Sequence, residues 1–401
     1  MRTRPATAQP AEPPARTSPE FADLPYAGGF SSDDLRTSMT TTVATRLISL
    51  PDVSADHLAA WRRLAERAAE PNPFFEADFV LAAIQRMGTR GAQLLVVERG
   101  GEWLACAPVR RRGAPPIGAL QSLRDEYSFL GTPLVERDSI QVAVEALLGA
   151  CQERHRLLVL ERLALDGPIA ATVGELLESR SYQLVLERRS ERAAAIRSSG
   201  DQQLELSSKE RSERRRRQRR LEDELGAPVE VRDRSGSPEA IEHFLRLEAA
   251  SWKGDSGTAL ASRPADEAFF RQISAAFGET GRLRVLELST DSGAPLEVTC
   301  DLIAGDTIFC FKTAYDEEYR RHAPGVELTT ANAEDFFANR SERVLDSCSP
   351  SDSKLMNKLL TDRRPLATLV IGPRGASTAL ARGAARAAAS MHERRTAARR
   401  G

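Results

Sequence analysis

The stretch Leu283–Pro350 decides the fold and reads LRVLELSTDSGAPLEVTCDLIAGDTIFCFKTAYDEEYRRHAPGVELTTANAEDFFANRSERVLDSCSP. Its first part contains three apolar runs separated by Ser-Gly and Gly-Asp turn signals, which predict a meander of three strands: Leu283–Leu288, Leu296–Leu302 and Thr307–Thr313. A helical pattern over Val326–Ala338 follows Pro324-Gly325, and Val344-Leu345-Asp346 reads as a short strand. The predicted order is three strands, a helix and a strand.

The start of that helix is a candidate anion site. A Pro-Gly pair turns the backbone sharply, and the free N–H groups and positive dipole end of the helix suit a pyrophosphate. Arg320 and Arg321 add positive charge nearby. The predicted anion-binding residues are therefore Arg320, Arg321, Pro324, Gly325 and Val326. The alternative is an ordinary turn that begins a helix.

Composition bounds the class of protein. The 401 residues are enough for two domains with tails, and a net charge of −1 predicts no bulk attraction to nucleic acid or to a membrane. The five cysteines form no CxxC pair, and we find no signal-like or membrane-spanning apolar run. We therefore predict a reduced, cytoplasmic protein. The five histidines are scattered without metal-ligand spacing, so no metal site is predicted.

The chain divides into four predicted segments. Residues 1–40 are rich in Pro, Ser and Ala and are expected to be disordered. Residues 41–200 and 201–372 are predicted as two domains, because both show helices leading into a hairpin and a helix between later strands. This alternation is typical of α/β layers, and the shared pattern indicates a duplicated domain. Residues 373–401 are predicted as an Ala/Arg-rich tail.

The order of elements resembles the core of the GNAT acyltransferases. The chain is similar to the CelD/BcsL branch, whose members carry two GNAT-like halves. Seven short segments carry this resemblance, which spans about residues 45–372: Asn72-Pro73-Phe74-Phe75, Ser251-Trp252-Lys253, Phe269-Phe270, Phe311–Asp316, Tyr319, Pro324-Gly325 and Leu345-Asp346. The resemblance implies an α/β fold of tandem GNAT-like (acyl-CoA N-acyltransferase) domains, with mixed central sheets flanked by helices.

The resemblance also implies a reaction. An acetyl or longer acyl group would pass from acyl-CoA to an amine or hydroxyl of a small-molecule or saccharide acceptor, in polysaccharide or cell-envelope biosynthesis. Acetyl-CoA or another acyl-CoA would be a co-substrate, with no tightly bound cofactor. Its pyrophosphate would lie on Pro324-Gly325.

Direct acyl transfer needs a base for the acceptor and an acid for the leaving thiolate. We predict Asp316 or Asp346 as the base and Tyr315 or Tyr319 as the acid. Four further side chains are predicted to bind substrate: Lys209, Trp252, Lys253 and Lys312. Here Trp252 supplies an apolar wall, while the lysines hold anionic groups. The alternative is ordinary packing with solvated charges.

Lys209 begins a basic helix predicted over Ser208–Leu225. This helix can bind phosphates of a substrate, contact nucleic acid, or form a solvated surface held by ion pairs four residues apart. The pairs predicted within the helix are Glu210–Arg214, Glu213–Arg217, Arg219–Asp223 and Arg220–Glu224. No aromatic residues interleave with its arginines, which disfavours single-stranded nucleic acid.

Two other functions stay open at the level of sequence. The Fem peptidyltransferases share the double fold and use aminoacyl-tRNA, so a Fem-like transferase is one alternative. A non-catalytic GNAT-fold scaffold is the other. The usual Gln/Arg-x-x-Gly-x-Gly/Ala loop is absent, and Arg321–Val326 stands in its place; this departure favours the scaffold. The sequence does not specify an oligomeric state.

Overall fold

The structure is a computed structural model that describes residues 42–113, 118–152, 157–179, 182–197, 204, 206–375 and 378. The segment predicted as disordered lies outside these residues, as does the tail beyond residue 375 apart from Thr378. The first half contains β1 Val43–Ser49, α1 Ala55–Glu66, α2 Ala77–Met87, β2 Ala92–Arg99, β3 Glu102–Arg112, β4 Ala119–Ser122, β5 Leu134–Val135, α3 Ile140–Gln152, β6 Leu157–Ala164, α4 Pro168–Glu178 and β7 Tyr182–Ile196.

The second half begins with the basic helix. It contains α5 Ser208–Leu225, β8 Val229–Asp233, α6 Pro238–Ala249, α7 Trp252–Asp255, α8 Pro264–Glu279, β9 Leu283–Thr290, β10 Pro295–Ala304, β11 Thr307–Tyr315, α9 Pro324–Asn339, β12 Val344–Asp346, α10 Lys354–Leu359 and β13 Asp362–Pro373. The predicted meander, helix and short strand of the deciding stretch are all present. Helix α9 begins two residues before the predicted start, because proline is well suited to a first helical position.

Thirteen strands form one mixed sheet. Twelve of them follow the order β1-β2-β3-β4-β6-β13-β7-β12-β11-β10-β9-β8, and β5 pairs with β3 off this path. The β4–β6 and β11–β12 pairs are parallel, whereas the other pairs are antiparallel. This mixed sheet with helices on both faces confirms the predicted α/β class.

The order of elements repeats along the chain. The series β1-α1-α2-β2-β3-β4-α3-β6-α4-β7 matches β8-α6-α8-β9-β10-β11-α9-β12-α10-β13. The last strand of each series is exchanged, because β7 pairs with β12 of the second series and β13 pairs with β6 of the first. Helix α5 has no counterpart in the first series. The two predicted domains therefore share one sheet, and their boundary near residue 200 stays a prediction.

Helices α1, α2, α6 and α8 cover one face of the sheet and share an aromatic core. Phe79 of α2 meets Phe269 of α8 edge to face at 5.3 Å between ring centroids, and Phe74 meets Phe309 at 5.6 Å. Edge-to-face pairs contribute about 0.5–1.5 kcal/mol each beyond burial of their area. Since both pairs join the first half to the second, the aromatic core holds the halves together. Helices α3, α4, α9 and α10 pack on the opposite face.

Candidate functional site

Strands β11 and β12 are paired over only part of the length of β11. They pair over three residues, ending at Phe309 and Asp346, and β11 then continues alone on that side to Tyr315. A β-bulge lies in the same stretch, where the β10–β11 register shifts between Cys300 and Asp301. Bulges are frequent beside active sites, and ligands of α/β sheets bind beyond the carboxyl ends of parallel strands. The end of β11 is therefore the natural place for a site.

Helix α9 begins just beyond this strand end. Its N-cap residue, Ala323, adopts the left-handed conformation, with φ 52° and ψ 55°, and supplies no side-chain cap. Left-handed backbone is unusual for a residue with a side chain. Pro324 occupies the first turn, and Gly325 lies close to both Tyr315 and Glu297. The predicted helix start is thus present, and its first turn is left without a side-chain cap.

A groove of about 640 Å³ runs along the first turns of α9. Helix α5 forms one wall and α10 another. Its lining is apolar at the floor and charged at the rim: Leu206, Leu221, Val229, Pro324, Val326, Leu355 and Leu359, with Lys209, Glu210, Glu213, Arg214, Arg217, His322, Glu327 and Lys358. The groove brings together three residues predicted from sequence, namely Lys209, Pro324 and Val326. Four basic and three acidic side chains line it, so its charge is weakly positive if His322 is neutral.

The charges of α5 pair with other elements more than with each other. Arg214 binds Glu327 of α9 at 2.6 Å, and Glu210 binds Lys358 of α10 at 2.9 Å. Of the predicted pairs within the helix, only Glu213–Arg217 forms, at 3.2 Å. The interpretation of α5 as a helix held by internal pairs was therefore mostly wrong, because its acids reach cations across the groove.

The predicted arginines before α9 differ in their surroundings. Arg321 forms an ion pair with Glu224 of α5. Nε2 of His322 also lies 2.6 Å from Oε2 of Glu224. Arg320 is exposed and has no acidic partner within the described part of the chain. Among the described lysines and arginines that line the groove, Lys209 alone has no acidic partner. Arg320 and Lys209 are thus the side chains whose charge is free for a ligand.

Glu297 of β10 lies beneath the first turn of α9 and was not predicted. Its side chain is fully buried, and neither carboxylate oxygen has a hydrogen-bond partner. A Cβ at Gly325 would lie 3.7 Å from Oε1 of Glu297 and 3.8 Å from the Tyr315 ring. Burial raises the pKa of Glu297 well above its ordinary value. Glu297 therefore keeps its proton to a higher pH than an ordinary glutamate.

Three predicted catalytic residues lie at this end of β11. Asp316 caps the short turn Glu317–His322 and accepts the backbone N–H of Glu318 at 3.0 Å. Burial and the neighbouring Glu317 raise the pKa of Tyr315, which therefore keeps its proton. Burial also raises the pKa of Tyr319, whose ring packs against the apolar cluster around Leu221. Of the two tyrosines, Tyr315 is the one beside the start of α9.

Asp346, the fourth predicted catalytic residue, lies elsewhere. It pairs with Phe309, which precedes Tyr315 by six residues on β11. At the rise of a strand, Asp346 is therefore about 20 Å from Tyr315 along the sheet. Its Oδ2 accepts from Arg192 at 2.6 Å and from Arg364 at 2.9 Å. Burial would raise the pKa of Asp346, but the two arginines outweigh burial and hold it below its ordinary value. This arrangement favours a structural ion pair over the predicted role as a base.

The residues predicted to bind the acceptor lie on the opposite face of the sheet from the groove. Lys312 of β11 places its Nζ 4.2 Å from the ring centroid of Tyr127, which belongs to the aromatic core. Lys253 binds Glu248 at 3.0 Å and the Thr313 carbonyl at 3.4 Å, and Trp252 is 60% exposed. Burial lowers the pKa of Lys312 to about 8, against the opposing effect of Glu248. Lys253, from α7, thus contacts the same strand, β11, that carries Lys312.

The corresponding position of the first half is closed. Between the parallel strands β4 and β6, Ser122 donates to the Val159 carbonyl at 3.1 Å and accepts the Glu161 N–H at 3.3 Å. Arg124 binds Glu161 at 2.9 Å. The void between α3 and α4 measures only about 10 Å³ and is lined by apolar side chains. Of the two equivalent positions, the one in the second half is therefore the one that is open.

Sequence reasoning missed the buried acids for identifiable reasons. In Leu296–Leu302 the polar residues Glu297, Thr299 and Asp301 alternate with apolar ones, which reads as a strand with one face in solvent. Helix α9 covers that face, so both carboxylates are buried. A usable signal did exist for the duplication, since Leu-Asp precedes a nearby proline at both Leu165-Asp166 and Leu345-Asp346.

None of the described helices is long and apolar enough to cross a bilayer. Within the same residues, no three His, Cys, Asp or Glu side chains are arranged to hold a metal ion. The predicted cytoplasmic location is untested by these observations.

Comparison with known proteins bears on the same half of the chain. Residues 208–351 match the family model described as an acetyltransferase (GNAT) domain. The crystal structure of FemX is similar, with a TM-score of 0.52 and 12% identity over 78% of this chain and 95% of that one. A structural similarity at this low sequence identity shows a shared fold and nothing about activity.

Two further structures are similar at lower TM-scores. The structure of L-PGS from Bacillus licheniformis gives a TM-score of 0.42, with 12% identity over 70% of this chain and 84% of that one. The tandem GNAT protein from the clavulanic acid biosynthesis pathway gives 0.37, with 15% identity over 83% of this chain and all (100%) of that one. No curated protein matches the sequence. Residues 208–351, in the second half of this chain, are therefore similar to a GNAT acetyltransferase domain.

Proposed function

We propose that this protein is an acyltransferase whose second half binds an acyl-CoA in the groove between α5, α9 and α10. The observation that carries the proposal is the open groove beside the start of α9, at the end of the unpaired part of β11. The first half, whose equivalent position is closed, acts as a wall of the site and as a partner in the shared sheet.

The geometry supports a donor and an acceptor that approach from opposite faces of the sheet. The uncapped first turn of α9 directs its positive dipole end at the donor pyrophosphate, and Lys209 and Arg320 supply unpaired positive charge. The acceptor enters on the face of Lys312, Lys253 and Trp252. The free edge of β11 then lies between them, where its backbone can stabilise charge on the reacting carbonyl.

The reaction proceeds by direct transfer. The acceptor amine or hydroxyl attacks the thioester carbon, forming a C–N or C–O bond while the C–S bond breaks. Asp316 takes the proton released by the acceptor, and Tyr315 gives a proton to the leaving thiolate, since burial keeps its hydroxyl protonated. Tyr319 and Asp346 receive no chemical step, because one packs against an apolar cluster and the other is held by two arginines.

A Fem-like aminoacyl transfer is the second candidate, and one observation favours it. Glu327 lies in the first turn of α9, where its carboxylate opposes a diphosphate. An aminoacyl ester donor carries no diphosphate at its reacting end and would avoid that repulsion. Under either candidate, the CelD/BcsL affiliation and the role in polysaccharide or envelope biosynthesis rest on the sequence resemblance alone.

The test is the melting temperature of the protein with acetyl-CoA, longer acyl-CoAs and free coenzyme A. A ligand that binds only the folded state raises the melting temperature. We expect a rise in the wild type that persists in Gly325→Ala and is lost in Gly325→Glu. The alanine variant is the matched control, because its Cβ makes only ordinary contacts. No rise with any of the three ligands would reject the acyl-CoA donor and leave the aminoacyl-transferase and non-catalytic scaffold alternatives.

A further inference from the structure

Helix α5 has no counterpart in the first of the two repeated series. It carries six exposed basic side chains: Lys209, Arg211, Arg215, Arg216, Arg219 and Arg220. Two exposed acids, Asp223 and Glu224, lie at its C-terminal end. The helix therefore adds a strongly basic outer surface to a chain whose net charge is only −1.

The outer surface is basic because the helix sorts its charges by face. Glu210 and Glu213 line the groove, and Leu221 is buried beneath the helix. Glu210 binds Lys358, while Glu213 binds Arg217 and also the exposed Arg216. Arg215, Arg219 and Arg220 point away from the groove. None of these three has an acidic partner in the described part of the chain.

The spacing places these charges in two neighbouring rows. Residues four apart lie on the same side of a helix, so Arg211, Arg215 and Arg219 follow one another, as do Arg216 and Arg220. The helix has no internal proline or glycine, and it presents these residues, from Arg211 to Arg220, over about 14 Å. Cations on one face of a surface helix can all contact a flat anionic surface at the same time.

We propose that the outer face of α5 docks this protein on an anionic lipid surface. Clusters of four to eight basic residues on a helix face are typical of binding to acidic headgroups. The face has no apolar residue, so the contact is electrostatic and leaves the helix outside the acyl chains. It also lacks aromatic residues for base stacking, which favours a lipid surface over single-stranded nucleic acid. The proposal does not depend on the donor groove, which lies on the other face of α5.

The test is sedimentation of the full-length protein with vesicles. One set contains phosphatidylcholine mixed with phosphatidylglycerol, and the other contains phosphatidylcholine alone. We expect binding to the anionic vesicles only, and binding that weakens with salt, because the Debye length is about 10 Å at 0.1 M ionic strength. The variant Arg215→Gln/Arg219→Gln/Arg220→Gln should bind on the order of a hundredfold more weakly.

The control removes the same charge from elsewhere. Arg63, Arg188 and Arg246 are exposed, lie outside α5 and form no ion pair within the described residues. Their triple glutamine variant should bind like the wild type, and both variants should keep the wild-type melting temperature. The proposal is overturned if the wild type does not sediment with anionic vesicles at low salt, or if both triple variants lose binding equally. Binding to duplex RNA or DNA without binding to vesicles would also overturn it.

Discussion

Arg192 and Arg364 stand directly opposite each other on β7 and β13, and both donate to Oδ2 of Asp346. The two arginines occupy equivalent strands of the repeated series, so this ion cluster lies where the two halves exchange their last strands. Asp346 itself comes from β12, next to β7. The cluster therefore joins three strands at the centre of the sheet.

The first prediction concerns this cluster. Asp346→Ala leaves two buried arginines without their carboxylate, which should lower the free energy of unfolding by roughly 3–5 kcal/mol. Because the pKa of Asp346 is depressed, its stabilising effect should be present above the unfolded-state value near 3.9 and lost as the pH falls through the lower folded-state value. Chemical denaturation of both proteins across pH measures this. A variant with wild-type stability but no activity would restore Asp346 as a catalytic base.

Glu297 should give the opposite dependence on pH. Its folded-state pKa is raised, so the folded protein holds a proton that the unfolded chain releases above about pH 4.3. Stability should therefore fall as pH rises from that value toward the folded-state pKa. Glu297→Gln cannot ionise and should lack this decline, so the stability difference between the two proteins should change steadily with pH.

The control for Glu297 is Glu318→Gln, which removes an exposed acid from the turn before α9. This variant should keep the pH dependence of the wild type. Parallel stability curves for wild type and Glu297→Gln would contradict this account, because they would show that folding does not raise the pKa of Glu297.

The exchanged strands predict that neither half folds alone. Residues 1–200 would lack β13, which separates β6 from β7, and residues 201–401 would lack β7, which pairs with β12. Each fragment would expose unpaired strand edges and part of the aromatic core. We expect each to show little native circular dichroism alone and to recover it on mixing. A cooperative unfolding transition in either isolated fragment would instead support two independent domains.

Lys312 should titrate near pH 8, because burial lowers the pKa of its amine. Peptide mass spectrometry can follow the acylation of Lys312 by a limiting amount of an amine-reactive reagent. The rate should rise with pH, with a midpoint near pH 8. Lys312→Arg removes the reactive amine and identifies the labelled peptide. A midpoint near the ordinary lysine value of about 10.4 would show that the side chain is well solvated.

The sequence was sufficient to predict the strand meander, α9 and α5, because each has a clear period and a recognisable beginning or end. Ser207 caps α5 and Gly226 ends it in the left-handed conformation, as expected of these residue types. The strand exchange could not be predicted, since it depends on pairing between residues more than 150 positions apart, as in Arg192 with Arg364.

The candidate site was predicted in part. Pro324 and Val326 do line the groove with Lys209, because a helix start constrains its own surroundings. The pairing of Arg321 with Glu224 and the burial of Glu297 were missed, since both depend on which helix covers which strand. The predicted roles of Asp316, Tyr315, Trp252, Lys253 and Lys312 stay predictions.

The most direct test of the central claim is the equilibrium dissociation constant for acetyl-CoA in the wild type and in two variants of Val326, a half-buried residue that lines the groove. Val326→Trp places an indole in the donor's path, whereas Val326→Ala leaves the groove open. We expect the wild type and the alanine variant to bind, and the tryptophan variant to bind at least about tenfold more weakly, a difference of about 1.4 kcal/mol. Equal affinity in the tryptophan variant, or no binding by the wild type, would contradict an acyl-CoA site in this groove.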